Sequence, residues 1–206
     1  MLRATKNACP PVQRAAAVVL AAGASRRFGD AKLLASLGGK PIVQHVIDAA
    51  NASRAADVLI VIGHRADDLL AAATLGRARV VRNPDHASGQ STSLRAAVRD
   101  AGDADAVVVL LADQPGVTAA LIDALVATQQ ETRACAVVCS WQGHRSPPTL
   151  LHRSLWPEVD ALRGDVGARE ILAGRQDVAV LDVAPALARL DDVDRREDLD
   201  RLDQGM

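Results

Sequence analysis

The sequence predicts an α/β domain of three layers, doubly wound around a mostly parallel sheet. Two observations carry that expectation. First, short apolar, β-branched runs recur along the chain, each nearly continuous in hydrophobicity and bounded by polar residues or glycine. A strand covered on one face alternates apolar with polar side chains, so an unbroken apolar run marks a strand buried on both faces. Second, segments with helical spacing separate these runs, and strand–helix alternation builds parallel neighbours through crossovers. The 206 residues, 49% of them hydrophobic, are enough for one large domain with a sizeable core and few for two.

Taken in order, "AAVVLA" at 16–21 is the first strand, and "PIVQHVIDAANA" the helix that follows. "DVLIVIG" at 57–63 and "ARVVRN" at 78–83 are the next strands, with the helical "RADDLLAAAT" between them. "TSLRAAVRDAG" reads as a helix leading into the strand "AVVVLLAD" at 106–113. Pro115 and Gly116 turn the chain, and Thr118 is placed to N-cap the helix in "VTAALIDALVATQQ". "CAVVCS" at 135–140 and "VAVLDV" at 178–183 complete the strands. Between those two the alternation falters. Residues 141–175, rich in Pro, Gly and Arg and holding both Trp residues, read as an irregular insertion that leaves the sheet. Residues 1–14 read as a disordered leader and 15–206 as a single domain.

Composition removes several classes of function. Net charge is −1 with the two signs interspersed, so the basic stripe of a nucleic-acid binder is missing. Aromatics make up 1%, with no Tyr and a single Phe, which leaves no platform for stacking a polynucleotide's bases. No apolar run approaches the roughly 20 residues that span a bilayer. The first 15 residues lack the apolar stretch of a signal peptide. A cytoplasmic protein with no nucleic-acid or membrane partner is expected. Cys9, Cys135 and Cys139 are an odd number with one C-x-x-x-C pair. They fit neither a disulfide framework nor a zinc finger, and read as core or incidental thiols. The five histidines show no metal-ligand spacing.

In open α/β sheets ligands bind beyond the carboxyl ends of the strands, so chemistry is sought there. After the first strand comes "LAAGASRRFGDAKLL". Leu20, Ala21, Ala22 and Gly23 keep bulk away, so backbone N–H groups can approach an anion. Ser25 lies within the same loop, and Arg27 and Lys32 add charge to neutralise a phosphate. The loop is neither a Walker A motif nor G-x-G-x-x-G; "GGKP" at 38–41 has Leu34 and Pro41 where Gly and Ser/Thr belong. The second place is "NPDHASGQSTSLRAA", where Gly89 lets the backbone bend and Ser91 to Ser93 can cap a helix. It is not a hydrolase nucleophile elbow, because Ser93 stands where G-x-S-x-G needs glycine. The third is "VVVLLADQPGVT". A carboxylate directly after an apolar strand is costly unless it meets a cation or polar site, which makes Asp113 a Mg²⁺-ligand candidate. An aspartate capping the turn before Pro115 is the other reading. "GHRSPPTLL" and "GDVGAR" follow in the irregular region, and there Gly164 also suits the simple end of a helix. Near the C-terminus comes the acidic run "LDDVDRREDL".

These segments carry a resemblance. Leu20 to Lys32 resembles the nucleotidyltransferase signature L-A-[AG]-G-x-S-x-R-[MF]-G-x-x-K, with Phe28 where Met is commoner. The Ala-Ala-Gly opening and the Asp-Gln-Pro triplet resemble the molybdenum cofactor cytidylyltransferases. That resemblance implies a nucleotide-diphospho-sugar transferase (GT-A-like) fold. It implies nucleotide contacts at Leu20, Ala21, Ala22, Gly23, Ser25, Arg27, Lys32, Gly89, Ser91, Ser93 and Asp113, of which Arg27, Lys32 and Asp113 are the catalytic set. It implies acceptor contacts at Arg145, Pro148, Gly167 and Arg169, with Ser146 and Val166 replacing the family's Gly and Lys. Asp192 matches the first acid of a C-terminal Asp-[Ile/Val]-Asp element and is the second metal-ligand candidate; Arg195 and Arg196 stand in place of Thr and Pro.

The activity so implied is Mg²⁺-dependent transfer of CMP from CTP to the terminal phosphate of molybdopterin, releasing pyrophosphate. The partners implied are CTP or another nucleoside triphosphate, a phosphorylated pterin-type acceptor, and transient contact with a molybdoenzyme or its chaperone. GTP as donor, another small phosphorylated acceptor, and a non-catalytic nucleotide-cofactor carrier remain the alternatives.

Overall fold

In the computed structural model, residues 8–23, 28 and 32–203 are described. Strand β1 (Ala15–Ala21) is followed by a 3₁₀ turn (Lys32–Leu34) and a small ribbon of β2 (Ser36–Leu37) and β3 (Lys40–Pro41). Next come α1 (Ile42–Ala52), β4 (Asp57–Ile62), α2 (Ala66–Ala72), β5 (Arg79–Arg82), α3 (Gln90–Asp100), β6 (Ala106–Leu111) and α4 (Ala119–Thr132). The chain closes with β7 (Ala136–Trp141), β8 (His144–His152), α5 (Trp156–Ala161), α6 (Ala168–Leu172), β9 (Val178–Asp182) and α7 (Arg196–Asp203). Seven strands form one sheet in the order β5-β4-β1-β6-β8-β7-β9. All neighbours run parallel except β8, which is antiparallel to both β6 and β7.

The apolar runs are unbroken because each face of the sheet has its own core. Ala17, Val19 and Ala21 of β1 face a layer built from Val43, Val46 and Ile47 of α1 and Leu121 and Leu125 of α4. Ala16 and Val18 face the opposite layer, with Leu94, Ala97 and Val98 of α3 and Val159 of α5. Period-2 alternation thus persists, but both faces demand apolar side chains. Thr118 caps α4 as expected, its Oγ1 accepting from the Leu121 N–H at 3.1 Å. A third, smaller cluster joins Phe28, Leu37, Ile42 and Val193, with Leu199 and Leu202 of α7 against it. It draws the C-terminal helix back towards the start of the chain.

Three expectations are corrected. Residues 144–152 do not leave the sheet; they insert as β8 between β6 and β7. The disguise is local: Pro147 and Pro148 read as strand breakers, because proline cannot donate to the ladder. The β7–β8 register steps from Val138↔Thr149 to Cys139↔Ser146, so both prolines fall in a bulge where no ladder bond is asked of them. The leader reading fails for residues 8–14, while residues 1–7 lie outside the described residues. Val12 is fully buried; its N–H donates to Gln129 Oε1 at 2.9 Å, and Gln129 Nε2 donates to the Pro10 carbonyl at 3.0 Å. The thiol reading fails for two cysteines. Cys9 and Cys135, 126 residues apart, are joined by a disulfide, and Cys139 alone stays a buried free thiol. Sequence spacing carries no sign of a bond between a tail and the start of a distant strand.

A bridge across a loop of that length removes much of the unfolded chain's freedom. Reduction, or Cys9→Ser, should lower unfolding stability by about 2–5 kcal/mol. Urea titration with and without dithiothreitol checks this, and coincident midpoints would contradict it. Burial pushes the Cys139 thiol up to about 12. It should therefore resist Ellman's reagent in the native protein at pH 8 and react after unfolding.

Candidate active site

The carboxyl ends of β1, β4 and β6 open into a cavity of about 930 Å³, within the range of small-molecule sites. Leu20, Ala22 and Gly23 of the first motif line it, whereas Ala21 is buried beneath in the core. A Cβ placed on Gly23 would meet nothing among the described residues within 4 Å. Ser25 and Arg27 lie outside the described residues.

Lys32 sits in the 3₁₀ turn after this loop, and its side chain is 7% exposed. Burying an ammonium requires a counter-charge. Lys32 Nζ donates to Asp113 Oδ2 at 2.7 Å and to Asp194 Oδ1 at 3.3 Å. Asp113 stands just past the end of β6, so strand, turn and C-terminal loop meet at one ammonium. The Val193 N–H donates to the Asp113 carbonyl at 3.0 Å, which pins the loop bearing Asp192 and Asp194. Asp198 Oδ2 accepts from the Asp194 and Arg195 N–H groups at 2.9 and 2.8 Å, fixing that loop to the start of α7.

Asp192 joins the cluster. Its carboxyl is held above the ordinary carboxylate range, first by partial desolvation from the surrounding protein and then by the Asp113 negative charge. Asp194 pushes the same way, while Gln114 and Lys32 oppose the shift. The residue is exposed as a whole, so the carboxyl is crowded at a rim and still reached by solvent.

The second motif is built differently from expectation. Gly89, at φ +107°, is the N-cap of α3, and Ser91, Thr92 and Ser93 fall inside the first turn without a side-chain cap. A neighbouring loop supplies the acceptors: the Gln90 N–H donates to Asp165 Oδ1 and the Ser91 N–H to the Gly164 carbonyl, each at 3.3 Å. A Cβ on Gly89 would come within 2.3 Å of the Gly164 carbonyl carbon, so this corner requires glycine by contact as well as by φ. Gly89 and Ser93 line the cavity, while Ser91 is fully buried behind it. Asn83 Nδ2 donates to Thr92 Oγ1 and Ser93 Oγ, at 2.8 and 3.0 Å, and sets this turn.

The four acceptor candidates are not gathered on the cavity wall. Arg145 is exposed on β8 opposite Ser140, Pro148 is buried in the sheet, and Arg169 is exposed on α6. Gly167 comes nearest, lying against the Gln90 side chain; Asp165 of the same loop does line the cavity. The sequence reading gave no role to Asp165, His64 and His86, which line the cavity; it matched Asp194 to the second acid of the C-terminal element without assigning it a role. Its pairing with Lys32 at 3.3 Å bears no local signature, nor do the other three.

Among the described residues no group of three or more His, Cys, Asp or Glu is gathered as a metal cage. Magnesium does not need one, since it commonly takes one or two carboxylates and completes its shell with water and substrate phosphates. Asp113 and Asp192 are hard oxygen donors whose mutual repulsion a divalent cation would relieve. The fully buried Gln114 next to Asp113 has an Oε1 with no donor among the described residues. The donor set fits such an ion.

The profile of the MobA-like NTP transferase domain matches residues 17–180. The chain belongs to the MobA-like nucleotidyltransferase family. It is 34% identical to the purine catabolism protein PucB of Bacillus subtilis over 92% of this chain and 96% of PucB. It is 30% identical to the nicotine blue oxidoreductase of Paenarthrobacter nicotinovorans over 91% and 92% of the two chains. Among solved structures, the Rv0371c homologue of Mycobacterium sp. strain JC1 superposes with a TM-score of 0.80 at 30% identity, covering 93% of this chain and 96% of that one. Rv0371c of Mycobacterium tuberculosis, in complex with manganese, superposes with a TM-score of 0.75 at 25% identity over 94% and 100%. The α/β architecture expected from the sequence is that of these GT-A-like nucleotidyltransferases. No helix among the described residues is long and apolar enough to cross a membrane.

Lys32→Met would leave the carboxylate cluster without its buried counter-charge. Because Asp113 is partly exposed, the loss at pH 8 should be about 2 kcal/mol rather than the larger cost of a fully buried pair. Millimolar Mn²⁺ should recover part of it. Thermal unfolding with and without the ion tests both, and a melting temperature indifferent to the substitution would contradict the arrangement.

Proposed function

We propose that the protein transfers CMP from CTP to the terminal phosphate of a molybdopterin-type acceptor and releases pyrophosphate. The observation that carries the reading is the Lys32–Asp113 pair at 2.7 Å, whose Asp113 lines a cavity of about 930 Å³. A site of this composition offers an ammonium to a phosphate and two carboxylates to a cation, and no activated serine or cysteine nucleophile among the described residues. That suits a reaction in which the attacking group is already an anion. One acceptor phosphate oxygen forms a bond to the α-phosphorus of CTP, the bond from that phosphorus to its β-bridging oxygen breaks, and the electron pair leaves with pyrophosphate.

Catalysis is then alignment and charge neutralisation. A bound divalent cation, Mg²⁺ in this reading, would be held by Asp113 and Asp192 and would offset charge on the triphosphate. Lys32 exchanges part of its contact with Asp113 for a phosphate oxygen. Arg27, placed by its position in the loop after β1, holds the same chain of phosphates. Leu20, Ala22 and Gly23 present backbone with little side-chain bulk. Gly89 and Ser93 bound the nucleoside side, with Ser91 supporting them from within. On the acceptor side, Gly167 packs against Gln90, whose neighbour Asp165 borders the cavity. The choice of CTP over GTP rests on the Ala-Ala-Gly opening and the Asp-Gln-Pro triplet; the pterin acceptor rests on the resemblance to the molybdenum cofactor cytidylyltransferases.

The test is pyrophosphate release with Mg²⁺, molybdenum-loaded molybdopterin, and CTP, GTP, ATP and UTP in parallel. Release with CTP is expected, with Asp113→Ala abolishing it and Lys32→Ala lowering it by at least about a hundredfold. Release with GTP alone would overturn the donor. Silence with all four, alongside nucleotide binding, would favour the carrier alternative.

A further inference from the structure

On the β4 side the cavity is bounded by two imidazoles. His64 stands two residues past the end of β4, and its N–H donates to the Ala22 carbonyl at 3.3 Å, which joins it to the loop after β1. His86 opens a 3₁₀ turn (His86–Ser88) that leads into Gly89 at the head of α3. Both line the cavity, and their ring centroids stand 6.2 Å apart with the planes inclined by 60°. The backbone beneath makes this placement possible. A Cβ on Gly63 would fall 2.6 Å from His86 Cβ and 2.7 Å from its Cγ, so the His86 side chain lies directly on a residue that has none. Among the described residues the His86 ring makes no hydrogen bond, and the ring it meets is that of His64.

The two sides of the cavity differ in chemistry. Asp113 lies past the end of β6 against Lys32, and that side suits phosphates and a cation. In the sheet β1 stands between β4 and β6, so the imidazoles lie two strand spacings away, about 10 Å, with Ala22 and Gly23 between. No other aromatic ring lines the cavity among the described residues, since Phe28, Trp141 and Trp156 are packed into the hydrophobic clusters. Two rings inclined to one another form a corner, where one offers its face to a planar group and the other its edge. Imidazole suits such a corner because it donates and accepts at once and exchanges the two roles between tautomers. We propose that His64 and His86 are base-binding residues, holding the planar base of the nucleoside triphosphate while ribose and phosphates run past Ala22 and Gly23 to Asp113. This rests on the reading of the cavity as a nucleotide site and adds the side chains that grip the base.

The experiment is calorimetric titration with Mg²⁺ and no acceptor, using CTP, GTP, inorganic tripolyphosphate and free neopterin as probes. Wild type, His64→Ala, His86→Ala, His86→Phe and Gly63→Ala are compared, with urea unfolding to show that each is folded. Wild type should bind its preferred nucleotide more tightly than tripolyphosphate. His64→Ala and His86→Ala should each weaken that nucleotide by about fivefold or more, as when a stacked base loses its aromatic partner, and leave tripolyphosphate unchanged. His86→Phe should restore most of the loss, and Gly63→Ala, which pushes the ring aside, should reproduce it. Equal loss of nucleotide and tripolyphosphate would mark a phosphate contact or a general structural role and overturn the inference, as would alanine variants that bind like wild type. Loss confined to neopterin would give the corner to the acceptor's ring and overturn it too. Wild type that holds nucleotide no better than tripolyphosphate overturns this inference alone, whereas wild type that binds neither overturns the nucleotide reading with it.

Discussion

Three carboxylates crowd around one buried ammonium at the end of β6, and the geometry of the site follows from that imbalance. Lys32 is hidden from water and must be paired, so the loop after β1 is drawn to Asp113. Asp194 shares the same ammonium, which draws the C-terminal loop in. Partial desolvation, and then the Asp113 charge, hold the Asp192 carboxyl above the ordinary range, with Lys32 opposing. Among the described residues the cluster carries more negative than positive charge, which is the basis for proposing a divalent ion there. Gly23, where a Cβ would meet nothing among the described residues within 4 Å, lines the same cavity as Asp113.

The fold exists largely to bring these distant parts together. Eighty-one residues separate Lys32 from Asp113 and 162 separate it from Asp194. Parallel strands bring β1 and β6 side by side, which places the first two groups at one sheet edge. The third arrives because Phe28, Leu37, Ile42 and Val193 make a small core of their own, with Leu199 and Leu202 of α7 closing it. Arg196, which stands where the family has proline, lies 5.9 Å from the Phe28 ring centroid and adds a cation–π contact to that closure. Opposite the active end, the Cys9–Cys135 bridge and the Asp105 carboxylate, which accepts from the Gln13 and Arg14 N–H groups, anchor the segment entering β1.

What could be read from the sequence divides along physical lines. The parallel strands were legible because burial on both faces leaves an unbroken apolar run, as in "AVVVLLAD". Lys32 was singled out as charge after a loop of small residues and Asp113 as a carboxylate just past an apolar strand, and the fold brings the two within 2.7 Å. β8 was hidden, since its two prolines sit in a bulge whose existence depends on pairing with β7 and not on anything local. The α3 corner was misread for a related cause. Serines at a helix start suggest their own cap, but the cap comes from Gly164 and Asp165, some 75 residues further on. Cys9 and Cys135 found each other, and Lys32 found Asp194, through tertiary placement that no spacing rule encodes. The acceptor candidates show the limit from the other side: Arg145, Pro148 and Arg169 match a motif, yet the cavity wall is made by other residues.

The central claim is attack of an acceptor phosphate on the α-phosphorus of a nucleoside triphosphate held by the Lys32–Asp113–Asp192 cluster. It is tested most directly by incubating the protein with Mg²⁺, molybdopterin and CTP labelled with ³²P at either the α or the γ position. The account predicts that the α label appears in a dinucleotide product and the γ label only in pyrophosphate. Label entering the acceptor from the γ position, or from neither, would contradict it.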